Sequence, residues 1–259
     1  MMELRSVPCK SAISKSSLPG LSYTFNPYVG CQHGCLYCYV PDVLKRRVSP
    51  SEWGRDVLVK KDVLHLLASD LRRLKPGTVG VSTVTDPYQP VERVCCLMRQ
   101  ALAMLRDSGF QVSVQTKSAL VARDFDLIKG KFELGMTITS MDDAFRRLFE
   151  PGASPPEERA NALEEASSRG IKTWIFYGPI IPLYNDSMQD AEKIIRLAEK
   201  TKSHIIYDRL NIKPLMLLRM KHSIPEDVIN SIKNTDLKKT FSYLEAECRS
   251  RGVPCKFAF

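Results

Sequence analysis

Six times between residues 23 and 210 a short run of β-branched or apolar residues gives way to a segment with helical spacing. The runs are Tyr23-Thr24-Phe25, residues 78–84, 111–116, 134–139 and 171–177, and Ile205-Ile206-Tyr207. Between them, residues 61–74 put Val63, Leu67, Leu71 and Leu74 on one face and stop at Pro76-Gly77. Residues 91–105 carry a second stripe (Val91, Val94, Met98, Ala101, Leu105), and 121–129 reads as a short helix. Ser154-Pro155-Pro156-Glu157 opens another helix with a serine cap, and 187–201 supplies the next. Regular β–α alternation dictates parallel strands joined by right-handed crossovers. Six units are too few to close an eight-stranded barrel. The expected fold is therefore α/β, a partial (β/α)6 TIM-like barrel with a C-terminal helical extension. Its expected parts are an irregular N-terminal arm (1–22), the barrel core (23–215) and a helical extension (216–259) packed on the core, interrupted near Asn234-Thr235-Asp236.

The first strand ends just before Cys31-Gln32-His33-Gly34-Cys35-Leu36-Tyr37-Cys38, a C-x3-C-x2-C spacing. With 8 cysteines in 259 residues, about 0.007 chance occurrences of that spacing are expected. Three thiolates can hold three irons of a [4Fe–4S] cube and leave the fourth iron open. An open coordination position implies chemistry, whereas a closed shell implies scaffolding. Two alternatives compete with this reading. His33 could complete a Cys3His zinc site, although it sits between two ligands and would strain a tetrahedral shell. The thiols could also be no more than small buried hydrophobes. The position of the loop, at the C-terminal end of a strand, is where barrel enzymes place their active sites. Cys9, Cys95, Cys96, Cys248 and Cys255 have no metal-like grouping, and Cys95 and Cys96 read as helical packing residues.

Hydrophobic content of 44% suits a globular chain with a sizeable core. No apolar run reaches the length of a membrane span, so no membrane partner is expected. Met1-Met2-Glu3-Leu4-Arg5 has no signal-peptide core, so a cytoplasmic location with reduced thiols is expected. The formal charge of +9 is compatible with a nucleic-acid partner. Its local clusters are Lys45-Arg46-Arg47, Arg72-Arg73-Lys75 and Arg146-Arg147, each of which can equally be a solvated face.

With its cysteine spacing, the chain resembles the radical SAM superfamily, whose open iron binds S-adenosylmethionine (SAM). Further runs sharpen the likeness: Asn26-Pro27-Tyr28-Val29-Gly30 before the cysteines, Thr85-Asp86-Pro87-Tyr88-Gln89-Pro90 after the second strand, Thr116-Lys117-Ser118 after the third, and Phe149-Glu150-Pro151-Gly152 after the fourth. Together, over roughly residues 23 to 185, they resemble the spore photoproduct lyase-like (DNA repair photolyase-like) branch. The resemblance implies that Cys31, Cys35 and Cys38 ligate a [4Fe–4S] cluster. It implies that Tyr37, Thr85, Asp86, Lys117 and Thr137 meet SAM: Tyr37 at the adenine, Thr85 and Asp86 at the methionyl end, Lys117 at a carboxylate or a substrate phosphate. Each has a plainer explanation as well, since Asp-Pro favours turns and threonine favours strands. Thr139 shares a strand face with Thr137, and Glu150 stays unassigned between cofactor binding and a loop salt bridge.

The implied activity is reductive cleavage of SAM to methionine and a 5′-deoxyadenosyl radical, which abstracts hydrogen from a substrate. An external one-electron donor of ferredoxin or flavodoxin type is implied, and a nucleic-acid substrate is compatible with the branch. One departure matters. Spore photoproduct lyases carry a hydrogen-donating cysteine two residues before the position of Thr85, where this chain has Thr83. The aliphatic hydroxyl O–H of threonine is too strong a bond to donate hydrogen to a carbon radical, which argues for a different substrate. The competing class is a non-catalytic zinc- or Fe–S-containing nucleic-acid-binding or sensor protein.

Overall fold

The computed structural model describes residues 5–44 and 50–258, so Lys45-Arg46-Arg47 lies outside the described residues. In chain order the strands are β1 (Ser6–Val7), β2 (Ile13–Lys15), β3 (Tyr23–Phe25), β4 (Tyr28–Val29), β5 (Leu58–Lys60), β6 (Thr78–Val81), β7 (Gln111–Thr116), β8 (Phe132–Thr137), β9 (Lys172–Ile180), β10 (His204–Arg209) and β11 (Cys255–Phe257). The helices are α1 (Val40–Val43), α2 (Val63–Arg73), α3 (Glu92–Cys95), α4 (Leu97–Arg106), α5 (Asp143–Phe149), α6 (Pro156–Ser168), α7 (Met188–Thr201), α8 (Pro214–Lys221), α9 (Glu226–Asn234) and α10 (Lys238–Ser250).

Eight strands form one open sheet in the order β11-β10-β9-β8-β7-β6-β3-β2. Every neighbouring pair is parallel except β2 with β3. The six strands of the alternating pattern are adjacent and in sequence order, giving the partial (β/α)6 barrel. Register aligns Phe25, Val81, Val114 and Leu134 across four strands, and all four are buried. Strand ends that face the same way put the loops after Phe25, Val81, Thr116 and Thr137 on one rim. A second, three-stranded sheet (β1-β5-β4) stands beside that rim.

Several local features differ from the sequence expectation. Residues 13–15, expected in an irregular arm, add an antiparallel edge strand, because the buried Asp70 carboxylate of α2 accepts the amides of Ala12 and Ile13 at 2.9 and 3.0 Å. Residues 255–257, expected in a helical extension, pair in parallel with β10. The helix expected over 91–105 breaks at Cys96, whose φ of 48° is left-handed. Glu92 accepts the amides of Leu97 and Met98 there and restarts the chain as α4. Cys95 and Cys96 therefore sit half-buried at a break rather than inside a helix. Residues 119–124 form a 3-10 turn in place of the α-helix read over 121–129. Ser154 does not cap α6: its Oγ accepts the Ala119 amide, and Pro155 occupies the cap position.

Candidate cofactor site at the strand ends

The loop from β4 to α1 holds Cys31, Cys35 and Cys38, and four neighbouring segments fix its backbone. The first is the run after β6. Thr85 Oγ1 donates to the Gly30 carbonyl at 2.5 Å and accepts from Gln89 Nε2 at 2.9 Å. Gln89 Oε1 accepts the Gln32 amide at 2.8 Å, and Gln32 Oε1 accepts the Val91 amide at 2.6 Å. Asp86 Oδ1 accepts from the Tyr88 amide and Thr116 Oγ1 at 2.9 and 2.7 Å. Its Oδ2 accepts the Lys117 amide at 2.9 Å and lies 3.3 Å from His33 Nδ1. Burial alone would raise this carboxyl, but His33 and the donors outweigh it and hold the pKa at about 2. In the structure Thr85 and Asp86 thus brace the cysteine loop, and His33 is held by Asp86.

The second segment is the run after β8. The Phe149 carbonyl accepts the Leu36 amide at 2.8 Å, and the Gly152 amide donates to the His33 carbonyl at 3.0 Å. A Cβ on Gly152 would lie 2.1 Å from the Gln32 carbonyl oxygen, so only glycine permits this approach. The third is the turn at Gly54 (φ 94°), where a Cβ would lie 2.9 Å from the Gly34 Cα. The fourth is α8. Asp42, on α1, accepts the Leu215 and Met216 amides at 2.9 and 3.1 Å, satisfying the first turn of α8. Arg219, one turn on, donates from Nη2 to the carbonyls of Cys38 and Leu36. Beneath the loop, Cys35, Tyr37, Phe145, Phe149, Ile181, Met216 and Met220 form a second apolar cluster.

A buried charge network sits under Tyr37. Its hydroxyl donates to Glu150 Oε1, which also accepts from Thr139 Oγ1 at 2.7 Å. Glu150 Oε2 pairs with Arg159 Nη2 at 2.6 Å, both side chains being almost fully buried. Arg159 also donates to the Ser154 and Thr137 carbonyls at 2.7 and 3.1 Å. Burial would raise the Glu150 carboxyl, yet Arg159, Lys117 and the two hydroxyls hold it at about 2. Lys117 Nζ stands 5.6 Å from the Tyr37 ring centroid. Burial lowers its pKa, but its acidic neighbours, Cys35 once ionised and the Glu150 and Asp86 carboxylates, carry the net direction upward, so it stays cationic. Thr137 Oγ1, buried, accepts from Gln115 Nε2 at 3.1 Å. Tyr37, Asp86 and Lys117 thus converge on the cysteine loop, whereas Thr137 is linked to it through the Arg159 network. Thr83 Oγ1 hydrogen-bonds Thr24 Oγ1 at 2.9 Å, and its carbonyl accepts the Tyr39 hydroxyl at 2.9 Å.

All three cysteines are free thiols. Burial is the largest cause raising each: Cys31 and Cys38 lie above the ordinary thiol value, and Cys35 is pushed up to about 12 despite Lys117. Their thiolates therefore require a cationic partner. Among the described residues no three His, Cys, Asp or Glu side chains converge on a single metal ion. A [4Fe–4S] cube instead takes one thiolate at each of three irons. Arg219 Nε and Nη1, on the side chain that bonds the Cys38 carbonyl, are buried without a hydrogen-bond partner among the described residues and fit acceptors on such a cube.

Comparison with known proteins agrees. The Radical SAM superfamily profile matches residues 25–198, and this chain belongs to that superfamily. Its cofactors are accordingly a [4Fe–4S] cluster and SAM. An uncharacterized protein of Methanocaldococcus jannaschii is 30% identical over 256 residues, covering 91% of this chain and 95% of the relative. An uncharacterized protein of Mycobacterium tuberculosis is 30% identical over 202 residues, covering 73% of this chain and 59% of the relative, so the match spans about three fifths of that longer protein. Among solved structures, spore photoproduct lyase complexed with dinucleoside spore photoproduct superposes with a TM-score of 0.71 at 14% identity, covering 96% of this chain and 79% of the lyase. Streptococcus suis SuiB bound to S-adenosylmethionine gives 0.62 at 11% identity, covering 91% and 49%. These two show the shared fold. Radical SAM enzymes draw on an external electron donor. No helix among the described residues is long and apolar enough to cross a membrane.

Sequence reasoning left Glu150 unassigned and did not single out Arg159, Gln89 or Arg219. The Glu-Pro-Gly run was the available signal for Glu150. Arg219 lies 181 residues from Cys38, on a helix with no motif, and gave none.

Proposed function

We propose that this chain is a radical SAM enzyme of the spore photoproduct lyase-like branch that abstracts hydrogen from a nucleic-acid substrate other than spore photoproduct. Three free cysteines on a loop braced from four sides carry this reading. Cys31, Cys35 and Cys38 would hold the cluster, which supplies the electron that cleaves SAM. Lys117, cationic in its half-buried position, suits the SAM carboxylate. Tyr37 offers a ring held in one orientation by Glu150, and Thr137 a hydroxyl on the same rim. Thr85 and Asp86 fix the loop against which SAM would lie. Thr83, bonded to Thr24, has no hydrogen atom weak enough to return to a product radical. The +9 charge supports a polyanionic substrate.

The test is 5′-deoxyadenosine formation from SAM by anaerobically reconstituted, dithionite-reduced protein, compared with Cys35→Ala. Product from the native chain alone supports the reading. No product, with zinc in the purified protein, returns the site to a binding module. An intact cluster with no product in the presence of oligonucleotides favours a sensor. Fluorescence anisotropy with labelled single- and double-stranded DNA tests the substrate class. Binding that weakens steeply with salt is expected, and none at low salt removes nucleic acid from the proposal.

A further inference from the structure

Arg219, on α8, carries a cation from the C-terminal helices onto the cysteine loop. It is fixed at both ends. Its helix is anchored by Asp42, whose carboxylate takes up the Leu215 and Met216 amides. Its Nη2 is committed to the Cys38 and Leu36 carbonyls, on either side of Tyr37. What remains of the guanidinium is unusual. Nε and Nη1 are shielded from solvent and make no hydrogen bond among the described residues. A buried N–H without a partner is strongly disfavoured, and this is more so for a charged group. Among the described residues no carboxylate forms an ion pair with Arg219, while the Cys38 and Cys35 thiols and Asp42 lie within Coulombic reach of it. A fixed positive charge with spare donors beside sulfur ligands is the arrangement that tunes iron–sulfur centres, since their potentials follow net charge and hydrogen bonds to sulfur.

We propose that Arg219 is a positioning residue that raises the reduction potential of the [4Fe–4S] cluster, by placing its guanidinium charge and two spare N–H donors beside the Cys38 ligand. The inference rests on the cluster assigned above. An electron added to the cluster is stabilised by that charge, so the enzyme becomes easier to reduce by its one-electron donor. The residue acts on the electron's energy and not on SAM or substrate.

The experiment is a potentiometric titration of the reconstituted cluster in the absence of SAM, followed by electron paramagnetic resonance, on wild type, Arg219→Gln and Arg219→Lys. Iron and sulfide are quantified in each, and thermal melting of each is measured without cluster. Arg219→Gln is expected to disfavour the reduced state at least tenfold, about 59 mV more negative for a one-electron couple. Arg219→Lys keeps the charge and loses the fork, so its potential is expected to fall between the two. A Gln variant with full iron and sulfide whose reduction equilibrium stays within threefold of wild type overturns the proposal, whatever its melting temperature. If the Gln variant retains no cluster, the Lys variant decides: a lowered potential supports the role and an unchanged one overturns it. Failure of wild type to take up iron and sulfide refutes the cluster assignment itself, and is distinguished from failure of the Arg219 role by the metal analysis.

Discussion

Replacing Glu150 by glutamine keeps the side chain's shape and removes its charge from the network under the cysteine loop. Arg159, fully buried, would then face an amide in place of a carboxylate. Two routes give the size of the effect. A carboxyl moved from 4.5 to about 2 by its surroundings favours its charged form by about 3 kcal/mol. Breaking one half of a buried ion pair typically destabilises by about 3–5 kcal/mol. For a chain of this length roughly 2–4 °C of melting temperature follows each kcal/mol, so the low estimate predicts a drop of roughly 6–12 °C at pH 7. The pH dependence has a definite sign. In the unfolded chain the group titrates near 4.5 and in the folded protein near 2. Above 4.5 both states are ionised and the full stabilisation is present. Between 4.5 and about 2 the unfolded chain binds the proton first and the stabilisation is lost. Melting of the cluster-free protein, followed by tryptophan fluorescence from pH 7 down to pH 3, should show a smaller loss in Glu150→Gln, which keeps only the contribution of carboxylates such as Asp86, than in wild type. A Glu150→Leu/Arg159→Met double variant should recover part of the loss, because an apolar pair leaves no unpaired charge. Melting of Glu150→Gln within about 2 °C of wild type at pH 7, less than the shift expected from 1 kcal/mol, would refute this account of the network.

Gly152→Ala should destabilise by about 1–3 kcal/mol through overpacking, because its methyl would lie 2.1 Å from the Gln32 carbonyl; urea titration at pH 7 checks this. Asp86→Asn removes the charge that holds His33 and two donors at the C-terminal end of β7, Thr116 Oγ1 and the Lys117 amide, and should speed loss of iron to a chelator several-fold while leaving helix content by circular dichroism unchanged. Lys117→Gln should weaken SAM binding by about 1.5–3 kcal/mol, the worth of one charge-assisted hydrogen bond, as measured by equilibrium dialysis on the reconstituted protein.

The (β/α)6 order was legible because each strand is a short apolar run between helical stripes, and the cysteine loop because its spacing is rare. Edge strands were not. Ile13–Lys15 is held by Asp70 at 57 and 58 residues' distance, a partner that no local pattern names. The break at Cys96 was hidden because Val91, Met98 and Leu105 keep helical spacing across it, and the agent of the break is the Glu92 carboxylate. At the site, residue types named loops that meet at the cysteines but left their hydrogen-bond partners open. Thr85 and Asp86 were expected to face SAM, and the structure occupies their oxygens with Gly30, Gln89, Thr116, Lys117 and His33. Which donors a carboxylate collects depends on how four loops meet on one rim, and that is set by the sheet. Glu150 stays unassigned in sequence between cofactor binding and a loop salt bridge, and nothing local marks Arg159 as its partner until the fold buries the two together.

The Asp42 cap gives the enclosure of the cysteine loop a place in time. Its partner, the amide of Leu215, lies 173 residues downstream. A ribosome adding about 5–20 residues per second needs roughly 9 to 35 seconds to cover that distance. For that interval the three thiols have emerged, while the helix that seals one side of them has not yet been made. Sulfur and iron delivered during synthesis would meet an uncovered loop, whereas the finished chain must lift α8 from Asp42 to admit them by that side.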